Sequence, residues 1–280
     1  VRISVITVCR NAGGLLEHAV ASVLGQSHPP EDYVIQDGAS TDGSLERLVV
    51  GLGKRDDAQP ATALKGLCEG AWNLRVGPVS LRILSERDDG IYDALNRAIS
   101  RSTGDVVAIL HADDQLADAG VLKRVMQAFE GGAEVVYGDL QYIREKADGR
   151  LSVFRHWRSG VYHPHKLRWG WMPPHPALYL RRDVYERAAL GAGVYFDPAF
   201  RCAGDYDWML RVLPRLETAP VYIPDVLVRM RVGGVSNRSM RHLLLKSRED
   251  WQAIRRNRGG GLHTLVGKQL RKAGQFRVFS

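Results

Sequence analysis

Short apolar runs, each closed by a cluster of Asp, Asn or Gly and separated by helix-period segments, dominate the first half of this chain. In residues 3–9, Ile3, Val5, Ile6 and Val8 make a continuous run of the kind a strand buried on both faces requires. Asn11-Ala12-Gly13-Gly14 breaks it, and Leu15, Leu16, Ala19, Val20, Val23 and Leu24 then recur at helical spacing up to Gly25. Residues 32–35 read as a second strand, and Ser40-Thr41-Asp42-Gly43 opens a helix running to Val50. Further strands are expected at 81–84, 106–110 and 134–137, with helices at 91–100 and 121–129. Residues 54–79, with weak periodicity, scattered Gly and two Pro, read as partly helical. This rhythm predicts an α/β fold with a mostly parallel central sheet, in which ligands collect at the carboxyl ends of the strands.

The second half is less regular. Residues 160–176 read as a long structured loop carrying Trp169 and Trp171, followed by a strand at 177–180, a helix at 206–213 and strand material at 221–232. Helical spacing resumes from Met240, with a triple Gly at 259–261. The chain has 280 residues, 45% hydrophobic and 25% charged, which excludes extended disorder and fibrous architectures. No apolar run approaches the roughly 20 residues needed to cross a bilayer. Val1-Arg2-Ile3 lacks the flanks of a signal peptide, and with no initiator Met, residues are expected to be missing upstream. Cys9, Cys68 and Cys202 are odd in number and show no CxxC spacing, which argues against a disulfide framework or a zinc site and fits a reducing cytoplasm.

The net charge of +8 is unevenly placed. Residues 236–280 carry 11 Lys or Arg against Glu249 and Asp250, a local balance of +9, and the remainder sits at −1. A uniformly basic nucleic-acid-binding domain is disfavoured, and no nucleic-acid partner is expected. The tail, with Arg238, Arg241, Lys246, Arg248, Arg255, Arg256 and Arg258 among Leu and Trp, suits either anionic lipid headgroups or a solvated helix packed on the body.

Asp113-Asp114 follows the 106–110 strand directly. Two adjacent carboxylates at the mouth of a sheet are costly unless a cation neutralises them, and oxygen ligands select a hard ion such as Mg²⁺ or Mn²⁺. A turn or helix-capping pair is the plain alternative. Asp37-Gly38-Ala39-Ser40-Thr41-Asp42-Gly43 after the second strand, and Asp89-Gly90-Ile91-Tyr92-Asp93-Ala94-Leu95-Asn96 after the third, place further polar clusters on the same edge. Asp93 and Asn96 are three apart and read as one helix face.

In this order and spacing the segments resemble the family 2 glycosyltransferases of the GT-A fold, as found in capsule, exopolysaccharide and O-antigen synthesis. The resemblance spans residues 1 to about 235 and also rests on Ser4-Val5-Ile6-Thr7-Val8-Cys9-Arg10-Asn11, Thr103-Gly104-Asp105 and Gly204-Asp205-Tyr206-Asp207-Trp208. It implies a Rossmann-like nucleotide-diphospho-sugar transferase domain at 1–235, with a donor half to about 140 and an acceptor half at 141–235, then a basic, partly helical tail at 236–280. The implied activity is inverting, metal-dependent transfer from a UDP- or GDP-sugar to a glycan or lipid-linked acceptor. It would run in the cytoplasm or on the inner face of the membrane.

The residues carried over are Asp205 as base, Asp114 with Asp113 for Mn²⁺ or Mg²⁺, and Thr7, Cys9, Arg10, Asn11, Asp37, Asp89, Asp93, Asn96, Asp113 and Arg231 around the donor. Arg229 and Arg231, with Gly233-Gly234-Val235-Ser236, resemble a flap closing over the diphosphate. Asp205 begins a helix, where the macrodipole lowers its pKa, so a useful base would need partial desolvation. His175 is a candidate for acceptor, phosphate or metal contact, or else a structural His beside prolines. Trp171 and Trp169 are candidates for sugar stacking or core filling, and Asp207 is the rival to Asp205. A sugar nucleotidyltransferase, or a non-catalytic nucleotide-sugar-binding protein on the same scaffold, is the alternative function.

Overall fold

The computed structural model describes residues 1–59, 62–63, 70–146, 150–232 and 240–275. Its strands are β1 (Ile3–Cys9), β2 (Asp32–Asp37), β3 (Thr62–Ala63), β4 (Gly70–Val76), β5 (Val79–Ser85), β6 (Val106–Ile109), β7 (Asp114–Leu116), β8 (Val135–Glu145), β9 (Leu151–Trp157), β10 (Leu178–Arg181) and β11 (Val221–Arg231). The helices are α1 (Leu15–Leu24), α2 (Ser44–Gly53), α3 (Ile91–Arg101), α4 (Val121–Glu130), α5 (Pro164–Leu167), α6 (Arg182–Arg187), α7 (Gly204–Val212), α8 (Met240–Arg256) and α9 (Leu262–Gly274).

All strands join one sheet in the order β3-β4-β5-β2-β1-β6-β10-β8-β11-β7, with β9 on β8. Every residue of β1 is buried, and its side chains alternate between two cores. Ile3, Val5 and Cys9 face the layer that contains α1, α2 and α4, whereas Ile6 and Val8 face the layer that contains α3 and α7.

The expected α/β class holds, but the sheet is mixed rather than mostly parallel. Among the described strands four of ten ladders are parallel, namely β1–β2, β1–β6, β2–β5 and β8–β11. Strand β10 runs antiparallel between β6 and β8, and so joins the later strands of the sheet to the parallel strands of the first half of the chain. The expectation of partial helix at 54–79 fails where the chain is described. There β3 and β4 continue the sheet as antiparallel strands beyond β5, and residues 60–61 and 64–69 lie outside the described residues. Strands β7 and β9 and helix α6 were also not anticipated.

The C-terminal segment is built onto the body. Ala253 and Ile254 of α8 are fully buried in the α7-side core, and Thr264 of α9 donates its hydroxyl to the Arg168 carbonyl at 2.6 Å. Glu249 accepts the amides of Arg201 (3.0 Å), Cys202 (2.8 Å) and Ala203 (3.0 Å), the residues leading into α7. A carboxylate there satisfies donors that α7 cannot and complements its dipole. The proposed boundary at 235/236 and the glycine-containing flap at 233–236 lie outside the described residues. No helix among the described residues is long and apolar enough to cross a membrane.

Three charge-assisted hydrogen bonds to one buried side chain make Glu249 a strong structural tie. Glu249→Ala is expected to lower the unfolding free energy by about 2–4 kcal/mol in urea denaturation, with Glu249→Gln recovering part of the loss.

Candidate active site

The parallel strands β1, β2, β5 and β6 present their carboxyl ends at one edge. There Asp37 is fully buried, and its Oδ2 accepts from the Ser40 amide (2.8 Å) and the Ser85 hydroxyl (2.7 Å). Its Oδ1 accepts from the Ser40 hydroxyl (2.5 Å) and the Cys9 thiol (3.4 Å). The carboxylate is therefore spent on pinning the 38–40 turn to β1 and β5. Asn11, at φ 51°, accepts from the Thr41 amide at 2.9 Å, and its own amide donates to Ser40 Oγ at 2.7 Å. The β1–α1 and β2–α2 turns are thus clasped together, with Arg10 and Asn11 exposed beside Gly38.

The Thr7 side chain does not reach this edge, and the Cys9 thiol reaches it only to meet Asp37. The Thr7 hydroxyl shares a 2.9 Å hydrogen bond with Tyr33 in the core. Burial, reinforced by Asp37, pushes the Cys9 thiol pKa up, so the thiol is a packing group.

At the start of α3, Asp93 accepts from the Asp89 amide (3.1 Å) and pairs with Arg97 (2.7 Å). Asn96, nearly one turn on, is buried. Its Oδ1 accepts from the amides of Tyr195 (3.0 Å) and Phe196 (2.8 Å), and its Nδ2 donates to Phe196 O (2.8 Å). Asn96 is thus a buried clamp between α3 and the 195–196 segment.

Asp88, absent from the sequence reading, does reach the edge. A β-carbon on Gly38 would lie 2.5 Å from its carboxylate, so Gly38 permits this approach. Burial raises the Asp88 pKa, against the lowering effect of Arg10. The available signal was its place as the first of two adjacent Asp after β5.

The loop 110–113 leads from β6 into β7, which pairs with β11 through Asp114↔Met230. Asp114 is 0% exposed, and neither carboxylate oxygen has a hydrogen-bond partner among the described residues. Burial, reinforced by neighbouring Asp113, pushes its pKa well above the carboxylate range. A buried, unpartnered carboxylate beside a second one is what a hard cation would neutralise, so the donor set fits Mg²⁺ or Mn²⁺ bound by one or two carboxylates. Among the described residues no group of three or more His, Cys, Asp or Glu forms a metal cage. Arg231 is tied to the same loop, its amide donating to the Asp113 carbonyl at 3.4 Å while its guanidinium pairs with Glu145 at 2.8 Å.

On the α7 side, Asp205 accepts a 3.4 Å hydrogen bond from the Tyr92 hydroxyl. Gly204 makes this possible, because a β-carbon there would stand 2.8 Å from the Tyr92 ring. Burial opposes ionisation of Asp205, but Lys246, His175, Lys268 and the Tyr206 amide hold its pKa below the usual value. The required desolvation is thus present, and cations outweigh it. Lys246 and Lys268 come from α8 and α9; Lys268 donates to Asp250 at 2.6 Å and lies over the Tyr206 ring at 3.3 Å. Burial, only partly offset by Asp250, lowers the Lys268 pKa to about 8.

Tyr142 of β8 lies within the fields of Asp114, Asp205 and Lys246 and under the Arg155 guanidinium at 4.4 Å. The sequence reading places none of Tyr142, Lys246 and Lys268 in this region: it ends the strand of β8 at 137, and it leaves the tail, including Lys246, between lipid contact and packing on the body.

His175 is buried with its ring 5.9 Å from His111 and edge-on to Phe196 at 5.7 Å, and its Nε2 lacks a hydrogen-bond partner among the described residues. Asp207 is not brought to the site, being fully buried and accepting from Asn257 at 2.8 Å in the contact between α7 and the end of α8. Trp171 is core: Tyr137 and Tyr162 enclose it, and its indole N–H donates to the Ser159 carbonyl at 2.7 Å, which leaves no face for a sugar. Trp169 is exposed and lies against His263 of α9.

Burial lowers the His175 pKa to about 4 from 6.5, against the opposing field of Asp205. The unfolded chain binds a proton there as pH falls through about 6.5, and the folded chain only near 4, so stability drains as pH falls across that window. The contribution is at most about 3 kcal/mol. His175→Asn is therefore expected to lose less melting temperature than wild type between about pH 7 and about pH 4.5; an equal loss in both proteins would count against a buried neutral imidazole.

Comparison with known proteins bears on the fold and the family. Residues 64–186 match the sequence profile of the family described as "Glycosyl transferase family 2". The chain is 28% identical over 241 residues to the PGL/p-HBAD biosynthesis glycosyltransferase of Mycobacterium tuberculosis, covering 84% of this chain and 78% of that protein. It superposes on residues 1–349 of S. aureus TarS in complex with UDP-GlcNAc with a TM-score of 0.62 at 14% identity, over 92% of this chain and 65% of that one, just under two thirds of its length. The mannosyltransferase PcManGT of Pyrobaculum calidifontis, in complex with GDP-Man and Mn²⁺, gives 0.58 at 17% identity, over 100% of this chain and 76% of the other. At such identities the structures establish the fold, a GT-A-like Rossmann arrangement. With that fold, the profile match over residues 64–186 and the mycobacterial relatives, the chain is similar to glycosyl transferase family 2.

Proposed function

We propose that the chain transfers a sugar from a UDP- or GDP-linked donor to a hydroxyl of a glycan or lipid-linked glycan, inverting the anomeric centre. The observation that carries this reading is the pair of contrasting carboxylates: Asp114, buried without a partner, and Asp205, part-buried yet held ionised. A displacement at an anomeric carbon needs stabilisation of the leaving diphosphate on one side and a base on the other.

Arg10, Asn11 and Asp88 at the strand edge form the proposed nucleotide cradle, with the 38–40 backbone held rigid by Asp37. Asp114 and Asp113 would hold Mn²⁺ or Mg²⁺, which when bound offsets charge on the departing diphosphate. Arg231 stands beside that loop on β11 and is proposed to exchange Glu145 for a phosphate. Asp205 takes the acceptor proton. Lys246 and Lys268 keep it ionised, and the Tyr92 hydroxyl fixes its orientation. His175, neutral at physiological pH, borders the same space as a polar wall. No covalent intermediate is required.

Two lines support the reading: the nucleotide sugars named with TarS and PcManGT, and the PGL/p-HBAD biosynthesis named for the mycobacterial relatives. A UDP- or GDP-sugar donor and the free thiols of Cys9 and Cys202 support a cytoplasmic site of action.

Calorimetric titration of UDP and of GDP, each with Mn²⁺ and with EDTA, tests the reading. One nucleotide is expected to bind in a metal-dependent way, and Asp114→Ala is expected to abolish that dependence. Asp205→Asn is expected to keep donor binding while lowering kcat by about 10²- to 10⁴-fold. Failure of wild type to bind any nucleoside diphosphate with Mn²⁺ would remove the enzyme assignment.

A further inference from the structure

The outward faces of α8 and α9 combine two properties that the transfer reaction does not use. Leu262, Val266 and Leu270 recur every four residues along α9 and are 66%, 49% and 68% exposed. That spacing places them on one stripe, opposite Thr264 and Lys268, which face the body. Trp169, 57% exposed, extends the stripe sideways through its ring contact with His263 at 5.2 Å. On α8, Leu244 (67% exposed) and Trp251 share the outward face with Arg248 and Arg255, and the Arg255 guanidinium lies 5.8 Å from the Trp251 ring centroid.

The charge on this surface has one sign. The two acids of α8 and α9 point inward, Glu249 to the amides before α7 and Asp250 to Lys268. The exposed charged residues of the two helices among the described residues are Arg248, Arg255, Arg256, Arg271 and Lys272, and Arg258 follows α8 directly. Of these, Arg256 is paired with Asp197 on the body.

We propose that this face docks on an anionic phospholipid bilayer. Basic side chains alone would suit a nucleic acid equally, but a stripe of exposed Leu and Val gains nothing from a phosphate backbone. Seated at the headgroup level it removes apolar surface from water, while the arginines meet lipid phosphates within a Debye length. Trp169 and Trp251 have the amphipathic rings that favour that depth. The partner is thus identified by chemistry: apolar below, negative at the surface. The proposal stands apart from the transfer reaction and needs no active site for its test.

The purified full chain is sedimented with vesicles of phosphatidylcholine and with vesicles containing roughly one third phosphatidylglycerol. Partition into the anionic vesicles only, decreasing with added salt, is expected. Leu262→Ser/Leu270→Ser and, separately, Arg248→Glu/Arg255→Glu are each expected to weaken partition about tenfold or more. All four positions are exposed, so melting temperatures and metal-dependent nucleotide binding should not move. Absence of partition, equal partition into neutral vesicles, or partition indifferent to both double variants would overturn the proposal. So would a dimer in sedimentation velocity that Leu262→Ser/Leu270→Ser dissociates, because it would assign the stripe to a second copy of the chain.

Discussion

A carboxylate excluded from water and given no donor will protonate or recruit positive charge, and the sheet forces Asp114 into that choice. The constraint comes from backbone ladders. Strand β7 is paired with β11, β11 with β8, β8 with β10 and β10 with β6, the strand from which the chain has just come. The loop 110–113 is therefore closed at both ends by one continuous sheet. His111, Asp113 and Asp114 have little freedom to move away from one another, and the cost of crowding them is met by the many hydrogen bonds of the ladders.

The same closure explains why an antiparallel strand matters more here than the parallel core. A purely parallel sheet would collect its loops at one edge without fixing how far the segment before β10 stands from them. By inserting between β6 and β8, β10 places the segment ending in His175 next to the end of β6, so that His111 and His175 are neighbours although 64 positions separate them. Asp205 reaches the same region from α7, steered by the Tyr92 ring of α3.

The parts legible in the sequence were those whose burial on both sides leaves a continuous apolar run. Strands β1, β2, β5 and β6 fall close to the expected positions for that reason. Strands β4 and β9 keep one face partly in water, and β7 is an Asp-Gln-Leu triplet; none offers such a run. Residue roles were harder to read than elements. Asp37, Asn96 and Asp207 are polar residues in motif positions, but their local partners saturate or bury them, and only coordinates reveal which hydrogen-bond acceptors are already occupied. Asp88 and Asp89 are adjacent and alike in sequence, and the direction of the chain at the start of α3 decides which one meets Gly38. Charge counting marked the C-terminal segment as separate because its acids are few; the structure shows that those few acids are the ones that fasten it.

That fastening has a kinetic side. Glu249 and Lys246 sit within one turn of each other on α8, one holding the amides that lead into α7 and the other in the field of the carboxylate in its first turn. Any fluctuation that lifts α8 from the body releases both at once. The start of α7 and the whole of α8 therefore form one opening unit, and their slow amides should exchange with solvent at a common free energy although nearly 50 residues lie between them. Breathing of α8, rather than motion at the strand edge, would then set how often Asp205 is out of register.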